Sequence, residues 1–300
     1  MATLYTQASG NIRKTWLLLT LFFVFIIGLG WLLSQALGDQ SFLYFAVGLA
    51  FFQSFFSYWF SDKIVLAMAG AKPVEHKENP ELYHIVENLC IGAGLPTPKI
   101  YIINETQPNA FATGRDKNHS VVAVTRGLLE KLEKPELEGV IAHELSHIGN
   151  KDMLLQTIVV ILVGVVAIIS DLFLRISFWG GRRDDRDRGQ LGLILFAFGI
   201  AAAILAPMAA TLIQLAISRK REFLADASSA LLTRYPQGLA NALRKISADP
   251  SPLRTANDST AHLYISNPFR GKQLNSWFTK MFSTHPPIEE RIKSLTEMSI

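Results

Sequence analysis

The sequence predicts a mostly α-helical membrane protein: four transmembrane helices carrying a domain with a small β-sheet, assembled from two separate chain segments. Three observations predict this. Apolar residues make up 49% of the 300 and charged ones only 18%, with a positive mean hydropathy of +0.24; four long apolar runs carry no charge; and mixed helix and strand signals fill the polar stretches around them. So apolar a chain is not disordered. The 29 Lys and Arg against 25 Asp and Glu leave +4, scattered in short clusters, which argues against a nucleic-acid partner. Cys90 is the single cysteine, so no internal disulfide staples the fold, and a reducing compartment suits the part outside the membrane.

The apolar runs are residues 16–33, 42–60, 153–170 and 191–218, each with the ~18 or more residues that cross ~30 Å of hydrocarbon. Arg13 and Lys14 precede the first, the link to the second carries only Asp39, and Lys63, Lys72 and Lys77 follow. The positive-inside rule then puts the N-terminus in the cytoplasm. The first run exceeds a signal-peptide core and a second follows at once, so it is expected to remain uncleaved. The chain divides into a hairpin (1–62), a first catalytic segment (63–152), a second hairpin (153–218) and a second catalytic segment (219–300), the two catalytic segments lying in the cytoplasm. Arg182, Arg183, Arg186 and Arg188 in the loop 180–190 run against this, only partly offset by Asp184, Asp185 and Asp187. A re-entrant third and fourth pair is therefore the alternative. Asp171 and Arg175, one turn apart, with Phe178 and Trp179 beyond them, mark the expected membrane edge.

Asn79, Pro80 and Glu81 read as N-cap, first residue and acidic first turn of a helix to about Ile91, stopped by Gly92 and Gly94. Residues 99–103 favour a strand, 109–114 and 120–124 flank a polar turn at 115–119, and Thr125 opens a short helix. Pro135 starts a helix with Glu136 and Glu138 in its first turn and Leu137, Val140, Ile141 and Ile148 on its apolar side, until Gly149. Helices are expected again at 219–233, 237–247 and 287–297, with a Ser/Pro/Asn-rich loop at 249–259. No internal repeat is present.

Within the Pro135 helix stands His143-Glu144-Leu145-Ser146-His147. Imidazoles at i and i+4 share one helical face and can bind one zinc ion, while Glu144 can serve as general base toward a metal-activated water. A catalytic zinc needs a third protein ligand and an open position. Glu222, Asp226, His262 and His285 are all candidates. His76, His84 and His119 lie in polar surroundings and read as solvated. The apolar runs hold no ionisable groups, which disfavours a transporter.

Four pieces carry a resemblance: residues 109–114 (Asn-Ala-Phe-Ala-Thr-Gly), 140–148 (Val-Ile-Ala-His-Glu-Leu-Ser-His-Ile), 221–226 (Arg-Glu-Phe-Leu-Ala-Asp) and 284–287 (Thr-His-Pro-Pro). Together with their order and the four runs, they make the chain resemble the HtpX family of membrane zinc metalloproteases, relatives of the CAAX prenyl endopeptidases. The resemblance implies a zincin-type domain, one Zn2+ per chain, Glu222 as third ligand and Glu144 as base. It also implies proteolysis of membrane or misfolded proteins, as in stress-linked quality control, at a bacterial inner membrane.

Spacing agrees with Glu222: it stands four residues beyond the fourth run, as His147 stands six before the third, so a tight helical hairpin would bring them together. Asp226, one turn on, can fix the tautomer of a ligating His or pair with Arg221 or Lys220. The strand holding Asn109, Ala110, Phe111 and Ala112 is read as an edge that pairs with extended substrate. His285, stiffened by two prolines, is read as an oxyanion donor or a cap of the next helix, with His262 a weaker claimant. The expected partners are polypeptides and the lipid bilayer.

Overall fold

The structure, a computed structural model, describes residues 4–179, 219–255, 259–269 and 286–298. Two long helices open it, α1 (Leu4–Leu37) and α2 (Ser41–Met68), turned back on each other through Gly38 at φ 68°. They touch where Gly30 faces Ala46: a Cβ on Gly30 would stand only 2.1 Å from that of Ala46. Small residues permit such close approach in membrane helix pairs. Outward they present Trp16, Leu21, Phe45, Phe51 and Phe52, each at least half exposed. Apolar surface of that extent is stable against lipid tails and not against water.

Among the described residues, 10–28 and 41–68 are long and apolar enough to cross a membrane, and a third candidate exists if a bent helix pair counts as one span. That pair is α5 (Lys134–Gly149) and α6 (Asp152–Trp179), which meet at 84° around Lys151 at φ 57°. The fourth apolar run and the arginine-rich loop lie outside the described residues. The third run falls within α6. Its first turns are buried in protein, with Leu155, Ile158, Val159 and Leu162 packed on Leu18, Phe22 and Ile26 of α1, and Thr157 bonded to Thr113 at 2.9 Å.

The sheet has the order β1-β2-β4-β3, from β1 (Ala71–Pro73), β2 (Lys99–Ile103), β3 (Ala110–Gly114) and β4 (Ser120–Thr125). β3 and β4 form the expected antiparallel hairpin, Ala112 opposite Val122. Gly114, at φ 142°, lies so close to His119 that a Cβ would come within 2.2 Å of its carbonyl. β2 runs parallel to β4, and β1 adds an antiparallel edge.

Asn79 caps α3 (Pro80–Ala93), which passes through Gly92 and ends at Gly94 in the left-handed region, φ 63°. Gly92 is thus no stop. Thr125 caps α4 (Arg126–Lys131), and Glu133 with Glu136 forms a capping box for α5. α7 (Arg219–Thr233) and α8 (Pro236–Ala248) pack on α5, and α9 (Ile288–Thr296) closes the bundle. Val140, Ile141, Leu145 and Ile148 of α5 form the centre of the core with Leu82, Val86, Leu239 and Leu243. α5 is therefore gripped from several sides, which fixes the azimuth of its polar residues.

Candidate metal centre

The helical period puts His143 and His147 on one face of α5, and core packing turns that face toward α7. His143, Glu144, His147 and Glu222 are all buried. The ligand atoms of His143, His147 and Glu222 lie within 4.8 Å of one another. Nε2 to Nε2 is 3.2 Å, His147 Nε2 to Glu222 Oε1 is 3.6 Å and His143 Nε2 to Glu222 Oε2 is 3.8 Å. Donors arranged tetrahedrally at about 2.1 Å from zinc stand about 3.4 Å apart. The separations and the two-nitrogen, one-carboxylate chemistry both fit that ion.

The outer nitrogens of the imidazoles are held by carboxylates. His143 Nδ1 lies 3.0 Å from Asp226 Oδ1, and His147 Nδ1 lies 3.1 Å from Asp152 Oδ2. With each Nδ1–H donated outward, both Nε2 lone pairs point to the centre. Arg291 of α9 grips Asp226 with two bonds, 2.9 Å from Nε and 2.7 Å from Nη2, and donates to the Ile265 carbonyl at 3.0 Å. Its Nη1 stands 3.6 Å from Glu222.

Charge is finely divided here. Burial pushes the Glu144 carboxyl up to about 7, against the pull of His147 and Arg291, which suits a group that must take and return a proton near neutrality. Burial alone would lower His147, but Asp152 and Glu222 outweigh it and raise the ring to about 9. Burial, with Arg291 nearby, lowers His143 although Asp226 opposes. To hold a metal ion through Nε2 the His147 ring would have to give up its proton there, so binding would release one. Arg291 has its pKa raised above the ordinary guanidinium value: Asp226 and Glu222 overcome the cost of burial.

Several expectations need correction. Asp226 pairs with Arg291, not with Arg221 or Lys220. Arg221 instead donates to Asn11 at 3.0 Å and approaches Asp152 at 3.8 Å. His262 is not among the three converging donors and donates from Nε2 to the Gln156 carbonyl at 3.2 Å. His119 is exposed, as expected, and pairs there with Asp116 at 2.8 Å. His285 lies outside the described residues. β3 runs beside the centre: the Ala110 carbonyl accepts from Ile265 N–H at 3.0 Å, and the backbone of Ala112 faces Glu144, where it favours the charged carboxylate. Asn109 is buried, donating to the Ser266 carbonyl at 3.0 Å, while Phe111 packs edge-on against Tyr264. Asp152 and Arg291 were not singled out from the sequence. Asp152 had a signal, a lone carboxylate at the head of an apolar run; Arg291 looks like any polar position of an amphipathic helix.

Two histidines one turn apart, a carboxylate from a second helix and a buried glutamate beside them are the constellation of a metallopeptidase, a hydrolase, here attached to helices long and apolar enough to cross a membrane. The chain belongs to peptidase family M48, whose sequence pattern matches residues 76–299. It is 44% identical over 304 residues to a protease HtpX homolog of Caldanaerobacter subterraneus subsp. tengcongensis, 99% of each chain being covered. It is 47% identical over 290 residues to a protease HtpX homolog of Pyrococcus furiosus, 96% of each being covered. The crystal structure of S. mikatae Ste24p aligns with 94% of this chain and 67% of its own, at 21% identity and a TM-score of 0.49.

Proposed function

We propose that this chain is a zinc endopeptidase that cuts misfolded or membrane-bound polypeptides on the cytoplasmic side of a bacterial inner membrane. One Zn2+ is held by His143, His147 and Glu222, and residues 63–152 and 219–300 together form the catalytic body between two membrane hairpins. The observation that carries this is the convergence of three donors within 4.8 Å, with both outer imidazole nitrogens already tied to carboxylates. Zinc in such a site supplies Lewis acidity toward a peptide carbonyl and makes water nucleophilic near neutral pH. Glu144 accepts the proton of the attacking water on its carboxylate and delivers it to the departing amine. Its burial excludes bulk water from that transfer.

β3 receives the substrate as an extended strand. A peptide laid along Ala110 and Ala112 exchanges with Ile265 for the Ala110 carbonyl, so binding displaces the segment near residue 265. Phe111 and Asn109 hold the strand in place from its buried side. His285, outside the described residues, is given the role of oxyanion donor or of cap to the helix that follows it.

The test separates base from ligand. Glu144→Gln keeps both rings and Glu222, so the detergent-purified variant is expected to carry about one zinc per chain and to cut a casein-type substrate at less than about a hundredth of the normal rate. Glu222→Ala is expected to lose tightly bound metal. Proteolysis near the natural level by the Gln form would refute the role given to Glu144.

A further inference from the structure

We infer that Asn11, on the first membrane helix, is a positioning residue of the metal centre, so that the membrane hairpin completes the zinc site. The inference rests on the zinc reading above. Asn11 is only 4% exposed, and its single amide ties three elements together. Nδ2 donates to Asp152 Oδ1 at 2.5 Å and to the Asn150 carbonyl at 3.3 Å, both at the corner between α5 and α6. Oδ1 accepts from Arg221 Nη1 at 3.0 Å, on α7. Asp152 is the carboxylate that orients His147, and Arg221 directly precedes Glu222. One amide thus braces the supports of two of the three ligands.

The chemistry of the position narrows what can fill it. It donates twice, to a buried carboxylate and to a carbonyl, and accepts from a buried guanidinium; an amide makes all three bonds, whereas a hydroxyl has a single proton to donate, a carboxylate none and an alkyl group neither donor nor acceptor. A polar group this deep in a helix that turns apolar one turn later is costly unless fully bonded. Without Asn11, Asp152 loses the hydrogen bond that ties its Oδ1 to α1, and the carboxylate that orients the His147 ring through Oδ2 is held less firmly. Partners that touch a ligating ring directly are worth ~10–100-fold in metal affinity; Asn11 acts one bond further out, so about three- to tenfold is expected.

The experiment uses the full chain in detergent, loaded with zinc, and follows its release to a chromogenic chelator. Asn11→Leu keeps the volume and removes both bonds; it should release zinc about three- to tenfold faster. Asn11→Asp sets a second carboxylate against Asp152 and should release it faster still. Thr15→Val is the control: Thr15, one turn along and equally buried, donates to the carbonyl of Asn11 in its own helix, and its loss should leave zinc release unchanged. Natural release rates in both Asn11 variants, or equal acceleration by Thr15→Val, would overturn the inference. If Asn11→Leu does not fold, Asn11→Ala replaces it, and a natural rate there overturns it equally. A wild-type chain that holds no zinc would remove the metal reading and this inference with it, whereas natural zinc with unchanged release in the variants removes this inference alone.

Discussion

Arg291 shows how the centre is priced at the scale of single residues. A fully buried guanidinium is tolerable because Asp226 takes two of its bonds and the Ile265 carbonyl a third. Arg291→Met removes the cation and leaves the buried Asp226 carboxylate with the hydrogen bond from the His143 ring in place of a charged partner. The expected loss is about 3–5 kcal/mol of stability, the usual cost of breaking a buried pair from one side, together with weaker zinc retention as the His143 ring loses its anchor. Thermal unfolding and metal content of the purified variant check both. An unfolding midpoint and zinc content equal to wild type would mean that the pair is dispensable.

Among the elements, α5 is the one on which fold and chemistry both depend. Its back is smooth where α8 crosses it: a Cβ on Gly139 would stand 2.6 Å from the Leu239 backbone nitrogen. A backbone atom cannot swing away, so Gly139→Ala must push α8 outward, and a loss of about 1–3 kcal/mol is expected from such overpacking, read as a lower unfolding temperature with Glu144 untouched. The hairpin β3–β4 was legible in the sequence because its turn is local and its strands flank it directly. The parallel pairing of β2 with β4 and the short β1 were not, since neither involves neighbouring segments. Gly92 misled for a related reason. It sits where α3 passes Leu232, 3.2 Å from a would-be Cβ, and a packing role overrides its weak helix propensity.

For the whole molecule, the question is which face of the membrane carries the centre. The loop 180–190 is proposed to lie outside, despite its arginines. Gln190→Cys should be labelled by an impermeant thiol reagent in intact cells, while labelling only after permeabilisation would favour the re-entrant arrangement. The natural Cys90 stays silent in that assay: burial pushes its thiol up to about 11, so at pH 8 it remains protonated and, being inside α3's core face, unreactive. The centre itself sits at the corner where α5 gives way to α6, since Asp152, the first residue of α6, holds His147. His147 precedes the third apolar run by six residues, roughly 9 Å of helix. Cleavage is therefore expected in flexible cytosolic segments close to a substrate's own membrane span. Mass spectrometry of fragments from a substrate with tagged loops on both faces decides it, and cuts confined to outer loops would refute the inside placement.

By itself the sequence determined what is local. The 3.6-residue period puts His143 and His147 on one side of a helix, turn residues and caps place α3, α4 and the β3–β4 hairpin, and uncharged runs of this length announce membrane helices. The resemblance in four motifs extended that to the family and nominated Glu222. Tertiary structure alone decided who supports the site. Asp226 lies one turn from Glu222 and looks as ready to pair with Arg221 as with a ring, yet Arg291, 65 positions away, is its cation. Asp152 meets Asn11 across 141 positions. No periodicity relates such pairs: each is chosen by which helices the apolar core presses together, and only then can a buried carboxylate find the one donor within reach.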